Sequence, residues 1–252
     1  MTTTPTPARA GAISALDRLI RGQLTSADQV RTGEGLPLKV FLPWAVALGA
    51  TYGFFVGWYA LTGGKSDAVK HVLAVMVKMP VLFLFTLLVT FPSLYVFNAM
   101  LGCRLGFRAT LRLLVATIVV NLAIAASLGP ILGFFSLSTS SYGFMVLLNV
   151  TLLGVAGLVS IGFLIKTLVA LQLHSAPPAP PTLPGYAAAP EPQRGSATGI
   201  FWVWIITYGI VGAQMGWILR PFIGAPGAPF QLFRARDGSF LSGVFNAVQQ
   251  MF

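Results

Sequence analysis

Five apolar blocks, each about 20 residues or longer, constrain this chain more than any other feature, because that is the length at which a helix crosses the ~30 Å hydrocarbon layer of a bilayer. They run from Val40 to Leu61, Pro80 to Leu101, Leu111 to Phe135, Phe144 to Leu168 and Ile200 to Leu219. Inside lipid a backbone N–H or C=O has no water to bond, so segments of this kind satisfy themselves as helices. The sequence therefore predicts an all-α fold: a polytopic membrane helix bundle of five transmembrane helices, with interfacial amphipathic segments at its N- and C-terminal ends. Composition points the same way, with 56% hydrophobic and 9% charged residues against about 25% charged in a soluble domain.

The blocks divide the chain into a cytoplasmic N-terminal segment over 1–37, a four-helix transmembrane region over 38–173, a Pro/Ala-rich linker over 174–199, a fifth transmembrane helix over 200–222 and an amphipathic C-terminal segment over 223–252. The first 35 residues are polar and mixed, without the apolar core and small-residue site of a cleavable signal, so the first span is expected to direct insertion. The run "HSAPPAPPTLPGYAAAPEPQRGSATG" reads as an extended tether. "SLSTSSYG", over 136–143, reads as a short polar turn that closes an antiparallel hairpin. Near the N-terminus Ile13, Leu16, Ile20 and Leu24 share a helical stripe with Arg18 and Arg21 beside it, which suits a helix lying on an anionic leaflet. At the other end Phe240, Leu241, Val244, Phe245, Val248, Met251 and Phe252 form one face and Ser242, Asn246, Gln249 and Gln250 the other. That polar face is uncharged, which favours packing on the bundle or a partner over electrostatic attachment.

The net charge of +10 would suggest nucleic acid in a soluble protein, but here the basic residues cluster beside the spans, where they set orientation and meet anionic lipid. No nucleic-acid partner is expected. On a five-span chain the N-terminal side carries ten basic residues (Arg9, Arg18, Arg21, Arg31, Lys39, Arg104, Arg108, Arg112, Lys166, Arg194) and the opposite side six (Lys65, Lys70, Lys78, Arg220, Arg234, Arg236). The positive-inside rule then places the N-terminus in the cytoplasm and the C-terminus outside, in what the sequence suggests is a bacterial inner membrane.

Because lipid is as apolar as a leucine side chain, spans associate through close backbone approach at small residues. In "AVALGATYGFFVG" Ala45, Gly49, Gly53 and Gly57 recur every fourth position and make a flat groove on the first span. At 100° per residue Gly209, Gly212, Ala213 and Gly216 form a stripe on the fifth, which makes that span a candidate partner for the groove. Arg220 continues the same stripe; just before Pro221, it is suited to anchoring the helix end at the interface while it bonds terminal carbonyls. All the tryptophans belong to these two spans, near their ends, as interfacial anchors. The third and fourth spans carry polar residues, with Thr110, Thr117 and Asn121 on one and Asn149, Ser160 and Thr167 on the other. Two readings of Asn121, Asn149, Ser160, Thr167 and Arg220 stay open, interhelical hydrogen bonding and a place in a polar pathway. Pro92 and Gly129–Pro130 are positions where the second and third spans are expected to bend.

The six acidic residues, Asp17, Asp28, Glu34, Asp67, Glu191 and Asp237, all fall outside the spans, His71 and His174 fall in loops, and Cys103 is the single cysteine. Buried proton carriers, metal ligands, haem ligands and a serine–histidine pair therefore lack their parts. Ser160 and Lys166 point to different faces of one helix and make a poor dyad. The sequence thus predicts no enzyme, no cofactor and no metal.

The runs "FPSLYVFNAMLGCRL", "SLGPILGFFSLSTSSYGFMVLLNV" and "GAQMGWILRPFIGAPGAPFQLFR" resemble a group of bacterial multi-spanning membrane proteins, a likeness that covers much of 80–236 and carries no site residues with it. In span count and orientation the chain is also similar to five-span proteins of the Yip1 type. The acidic tyrosine–glycine–proline signature of that family is not in the sequence, so this likeness is one of topology. Two functions follow from the residues. One is a non-catalytic scaffold or assembly subunit of a membrane complex, with the lipid bilayer, other membrane subunits or copies of itself as partners. The other is a channel or permease with a polar pathway along the third and fourth spans.

Overall fold

The computed structural model describes residues 7–24, 37–62, 67–100, 106–173, 206–216 and 240–249, and every element among them is helical. Helix α1 covers Pro7–Ile20, α2 Leu38–Thr62, α3 Ala68–Met100, α4 Phe107–Ser138 and α5 Tyr142–Leu173. A helical segment over 206–216 is α6, and α7 covers Phe240–Gln249. Four of these helices are long and apolar enough to cross a membrane, over Leu38–Thr62, Ala68–Ser93, Phe107–Ser138 and Tyr142–Ala170. Of the expected fifth span, 206–216 is described and is helical; Arg220 and the proline-rich linker lie outside the described residues.

Helix α2 is the hub, packing extensively against both α3 and α4. Its buried face is the small-residue groove with its flanks: Phe41, Ala45, Gly49, Tyr52, Gly53, Val56, Gly57, Tyr59 and Ala60. The groove is filled by α3 and not by the fifth-span segment, contrary to the sequence reading. A Cβ built on Gly49 would meet Pro80 at 3.0 Å, one on Gly53 the Val75 carbonyl oxygen at 2.8 Å and Met76 Cα at 2.9 Å, and one on Gly57 the Val72 Cα at 3.0 Å. Val72, Met76 and Pro80 keep the groove's own four-residue step, which makes the two backbones interlock as antiparallel neighbours. The stripe on α6 lies elsewhere, with Gly212 beside Thr86 and Gly216 beside Leu82, while no described residue lies within 4 Å of a Cβ built on Gly209. Ala213 is half-buried.

The second apolar segment also begins earlier than expected. Pro80 lies inside α3, which runs over Ala68–Met100, and a stretch of membrane-crossing length and apolarity begins at Ala68, ahead of the expected start at Pro80. The apolar turns over 72–77 extend the segment past Lys78, so this lysine belongs to the helix body and not to a loop.

Helix α4 is the most enclosed of the four, with 56% of its most apolar window buried, against 28% for α5. It ends at Thr139 and a tight turn follows, in which Thr139 Oγ1 accepts a bond from the Ser141 N–H and Ser141 Oγ accepts one from the Phe144 N–H. Ser141 thereby supplies one of the partners that the first turn of α5 would otherwise lack. At the other end of α4 the ring of Phe107 meets Phe91 of α3 edge to face, with centroids 4.7 Å apart.

The N-terminal helix docks on the bundle by a different edge from the one its stripe suggested. Leu19 and Leu24 are buried, Leu16 packs against the same core, and Ile13 and Ile20 stay exposed. The cause is local: Trp44 Nε1 donates to the Ala12 carbonyl at 3.2 Å, which draws the Ala12–Leu16–Leu19 edge onto α2. On the exposed side Arg21 bonds Asp17 at 2.9 Å, and this contact raises the guanidinium pKa still further. At the C-terminal end α7 packs against α5, yet Leu241, Phe245 and Val248 of its apolar face are exposed.

Candidate functional site

Six polar residues of α4 and α5 turn inward: Thr110, Asn121, Ser136, Asn149, Ser160 and Thr167 are buried, while Ser127, Ser138 and Thr151 are exposed. Their hydrogen bonds show what they do. Hydroxyls in an apolar interior can reach the carbonyl three or four residues back in their own helix, and Thr117 donates to Leu113 O at 2.9 Å, Ser160 to Gly157 O at 2.8 Å and Thr167 to Phe163 O at 2.9 Å. Thr86 and Thr90 of α3 do the same with Leu82 O and Thr86 O. Ser160 and Thr167 thus have their donors used inside α5.

Asn149 behaves differently. Its Oδ1 accepts a bond from the Tyr52 hydroxyl at 2.8 Å, a buried bond that ties α2 to α5. A second tyrosine of α2, Tyr59, donates to the Ser140 carbonyl in the α4–α5 turn at 2.7 Å. The two hydroxyls, seven residues apart on one helix, therefore fix both the depth and the rotation of the α4–α5 hairpin. Neither tyrosine stands out in the sequence by motif or spacing. The signal available was Tyr52 in the middle of an apolar run, where a phenol needs an acceptor.

Asn121 is 7% exposed, and its Oδ1 makes no hydrogen bond among the described residues. It lies 18 residues before Thr139, and Ser160 lies 19 after Ser141, so both stand about 27–28 Å of helix from the turn. The structure therefore places Asn121 and Ser160 at one depth and Asn149 nearer the turn. Arg220 lies outside the described residues.

Lys78 is the residue whose placement departs most from the sequence reading. It sits between Met76, which packs on Gly53, and Pro80, which packs on Gly49, and is therefore level with Thr51, close to the middle of the 25-residue α2. Its side chain is half-buried. The apolar run over 72–77 was the available signal, since it makes the flanks of Lys78 equally apolar.

Among the described residues no three His, Cys, Asp or Glu side chains come together as metal ligands. The class defined by this fold is an all-helical bundle with four helices of membrane-crossing length, knitted by small-residue packing and by a few buried hydroxyl and amide bonds. No protein-family model, curated protein or solved structure matches the chain.

Proposed function

We propose that this chain is an integral membrane protein acting as a non-catalytic scaffold or assembly subunit, with its N-terminus in the cytoplasm. The observation that carries this reading is the two-sidedness of α5. On its inner side Asn149, Ser160 and Thr167 are buried and bonded. On the remaining surface no described residue lies within 4 Å of where a Cβ on Gly154, Gly157 or Gly162 would sit, and Leu158 is 72% exposed. Contact with lipid alone gives no reason for glycine, which costs about 0.5–1 kcal/mol relative to alanine within a helix. Small residues on a membrane helix serve contact with another helix. The Pro/Ala-rich composition over 174–199 suits the same role, since a linker of that composition gives the segments after it reach.

Cysteine cross-linking in native membranes tests this reading, with Cys103 replaced and single cysteines placed at Gly154, Leu158 or Ser160. Outward positions 154 and 158 should give a defined higher-mass species and inward position 160 should not. Equal, diffuse labelling at all three would refute an assembly face on α5.

The channel reading keeps one observation of its own, the unbonded Oδ1 of Asn121. Flux through purified protein in liposomes separates the two functions: conductance that disappears in Asn121→Leu while the bundle stays assembled would replace the scaffold reading with the channel.

A further inference from the structure

Gln214 is an amide that the buried bonds of the bundle leave out. In the middle of "GIVGAQMGW" it is exposed, and it makes no hydrogen bond among the described residues. Its direction follows from the packing of α6. Gly212 and Gly216 face Thr86 and Leu82 of α3, and at 100° per residue Gln214 falls about 180° from the line midway between them. Ile210, about 40° from Gln214, is 58% exposed. Tyr208, within about 60° of the α3 contact line, packs instead against the core.

The same contacts set the depth of Gln214. Between Gly212 at Thr86 and Gly216 at Leu82 it is level with Leu84 of α3, and because Pro80 meets Gly49, Leu84 is level with Ala45 of α2. Along the axis this is about 5 Å from the midpoint of the apolar stretch over Ala68–Ser93 and about 8 Å from that of Leu38–Thr62. On the membrane reading proposed above, on which this inference rests, roughly 7–10 Å of hydrocarbon then separates Gln214 from the nearer edge of the ~30 Å layer, more than its short stem can reach across. An amide brings two donors and an acceptor oxygen, and with no water in the hydrocarbon such a side chain turns toward protein. On α6 it turns away from its own bundle.

We propose that the outward face of α6 docks on the same face of a second copy of this chain, with Gln214 against Gln214. The amide is what selects a second copy. Copies inserted in one orientation carry it at one depth, and a two-fold axis along the membrane normal brings the two side chains together, each donating an N–H to the other's carbonyl oxygen. A different membrane helix would need a polar side chain of its own at that level, and acyl chains offer none. The exposed Ile210 side chains flank the pair one turn away and exclude lipid from it.

Förster transfer between copies of the full chain labelled at the N-terminus, reconstituted in phosphatidylcholine liposomes at falling protein density, tests the contact. The wild type should dimerise, Gln214→Leu should move the midpoint to roughly tenfold higher density, the loss expected for an interhelical amide pair, and Gln214→Asn should keep most of the affinity. Cross-linking on a chain that retains Gln214 gives a second measurement: with Cys103 replaced, oxidation of Ile210→Cys in native membranes should yield a species of twice the chain mass, and Gly212→Cys, facing α3, should not. No transfer at any density, an unchanged midpoint in Gln214→Leu, or an Ile210→Cys adduct of any other mass would each overturn the proposal, the last by showing a different partner. Failure of the scaffold reading would look different, with no cross-link at positions 154 and 158 of α5 while Ile210→Cys still gives the double-mass species. Failure of the membrane reading would appear as a chain that stays monodisperse with detergent and lipid both removed.

Discussion

Replacing Gly53 with alanine adds a single methyl group, and the structure gives that methyl nowhere to go. Its carbon would stand 2.8 Å from the Val75 carbonyl oxygen and 2.9 Å from Met76 Cα. Both are backbone atoms of α3, so no rotamer change relieves the clash and the two helices must separate along the groove. Overpacking of this kind costs about 1–3 kcal/mol, whereas the exchange of glycine for alanine within a helix returns about 0.5–1 kcal/mol. The upper part of the overpacking range applies because the obstruction is backbone, which leaves a net loss of about 1–2 kcal/mol from these two terms. Gly154→Ala is the internal control. No described residue lies within 4 Å of its Cβ position, so in the isolated chain only the propensity gain of about 0.5–1 kcal/mol remains. Unfolding by SDS in mixed micelles, followed by circular dichroism and by Trp44 and Trp58 fluorescence, measures both. A Gly53→Ala protein as resistant as the wild type would refute the interlocked α2–α3 contact, as would a Gly154→Ala protein that loses as much as Gly53→Ala.

Gly53→Leu should go further and prevent recovery of a monodisperse bundle, as read by size-exclusion chromatography in detergent. Tyr52→Phe removes the donor to Asn149 and should cost ~0.6–1.7 kcal/mol, the range of buried side-chain bonds within membrane proteins; a double-mutant cycle with Asn149→Leu should return a coupling of that size, and zero coupling would count against the bond. Asn121→Leu should leave stability unchanged or raise it slightly, because it exchanges an unbonded buried oxygen for apolar volume, and a loss comparable to that of Tyr52→Phe would mean that Asn121 has a partner. Trp44→Phe should release α1, read as faster proteolysis after Arg18 or Arg21 with the helical content of the rest unchanged.

The groove on α2 was legible because small residues at a four-residue step can do little else on an apolar helix. Its occupant was not, since a groove of bare backbone accepts any helix that brings the same step. Val72, Met76 and Pro80 decide the matter in space, and Pro80 in particular reads as a helix boundary in the sequence while it packs closely on Gly49 in the fold. Lys78 was misplaced for the same reason, as a charge beside a proline looks like the end of a loop. The inward direction of Asn121 could be argued from the cost of an exposed amide, whereas the Tyr52–Asn149 bond joins residues 97 positions apart and no local period encodes it. The faces of α1 and α7 were found as stripes, but which edge of a stripe docks depends on one contact, such as that of Trp44 with Ala12.

The central position of α2 bears on how such a chain would be built. Among the long helices it is the first to leave the ribosome, and α3 and α4 each find it already in place when they follow. When Asn149 arrives on α5, the phenol it bonds is already in place on α2. A sequence permuted to deliver α2 last would reach the same contacts only after its polar groups had stood alone in the oil, and the order of the helices along the chain can thus be understood as an order of assembly.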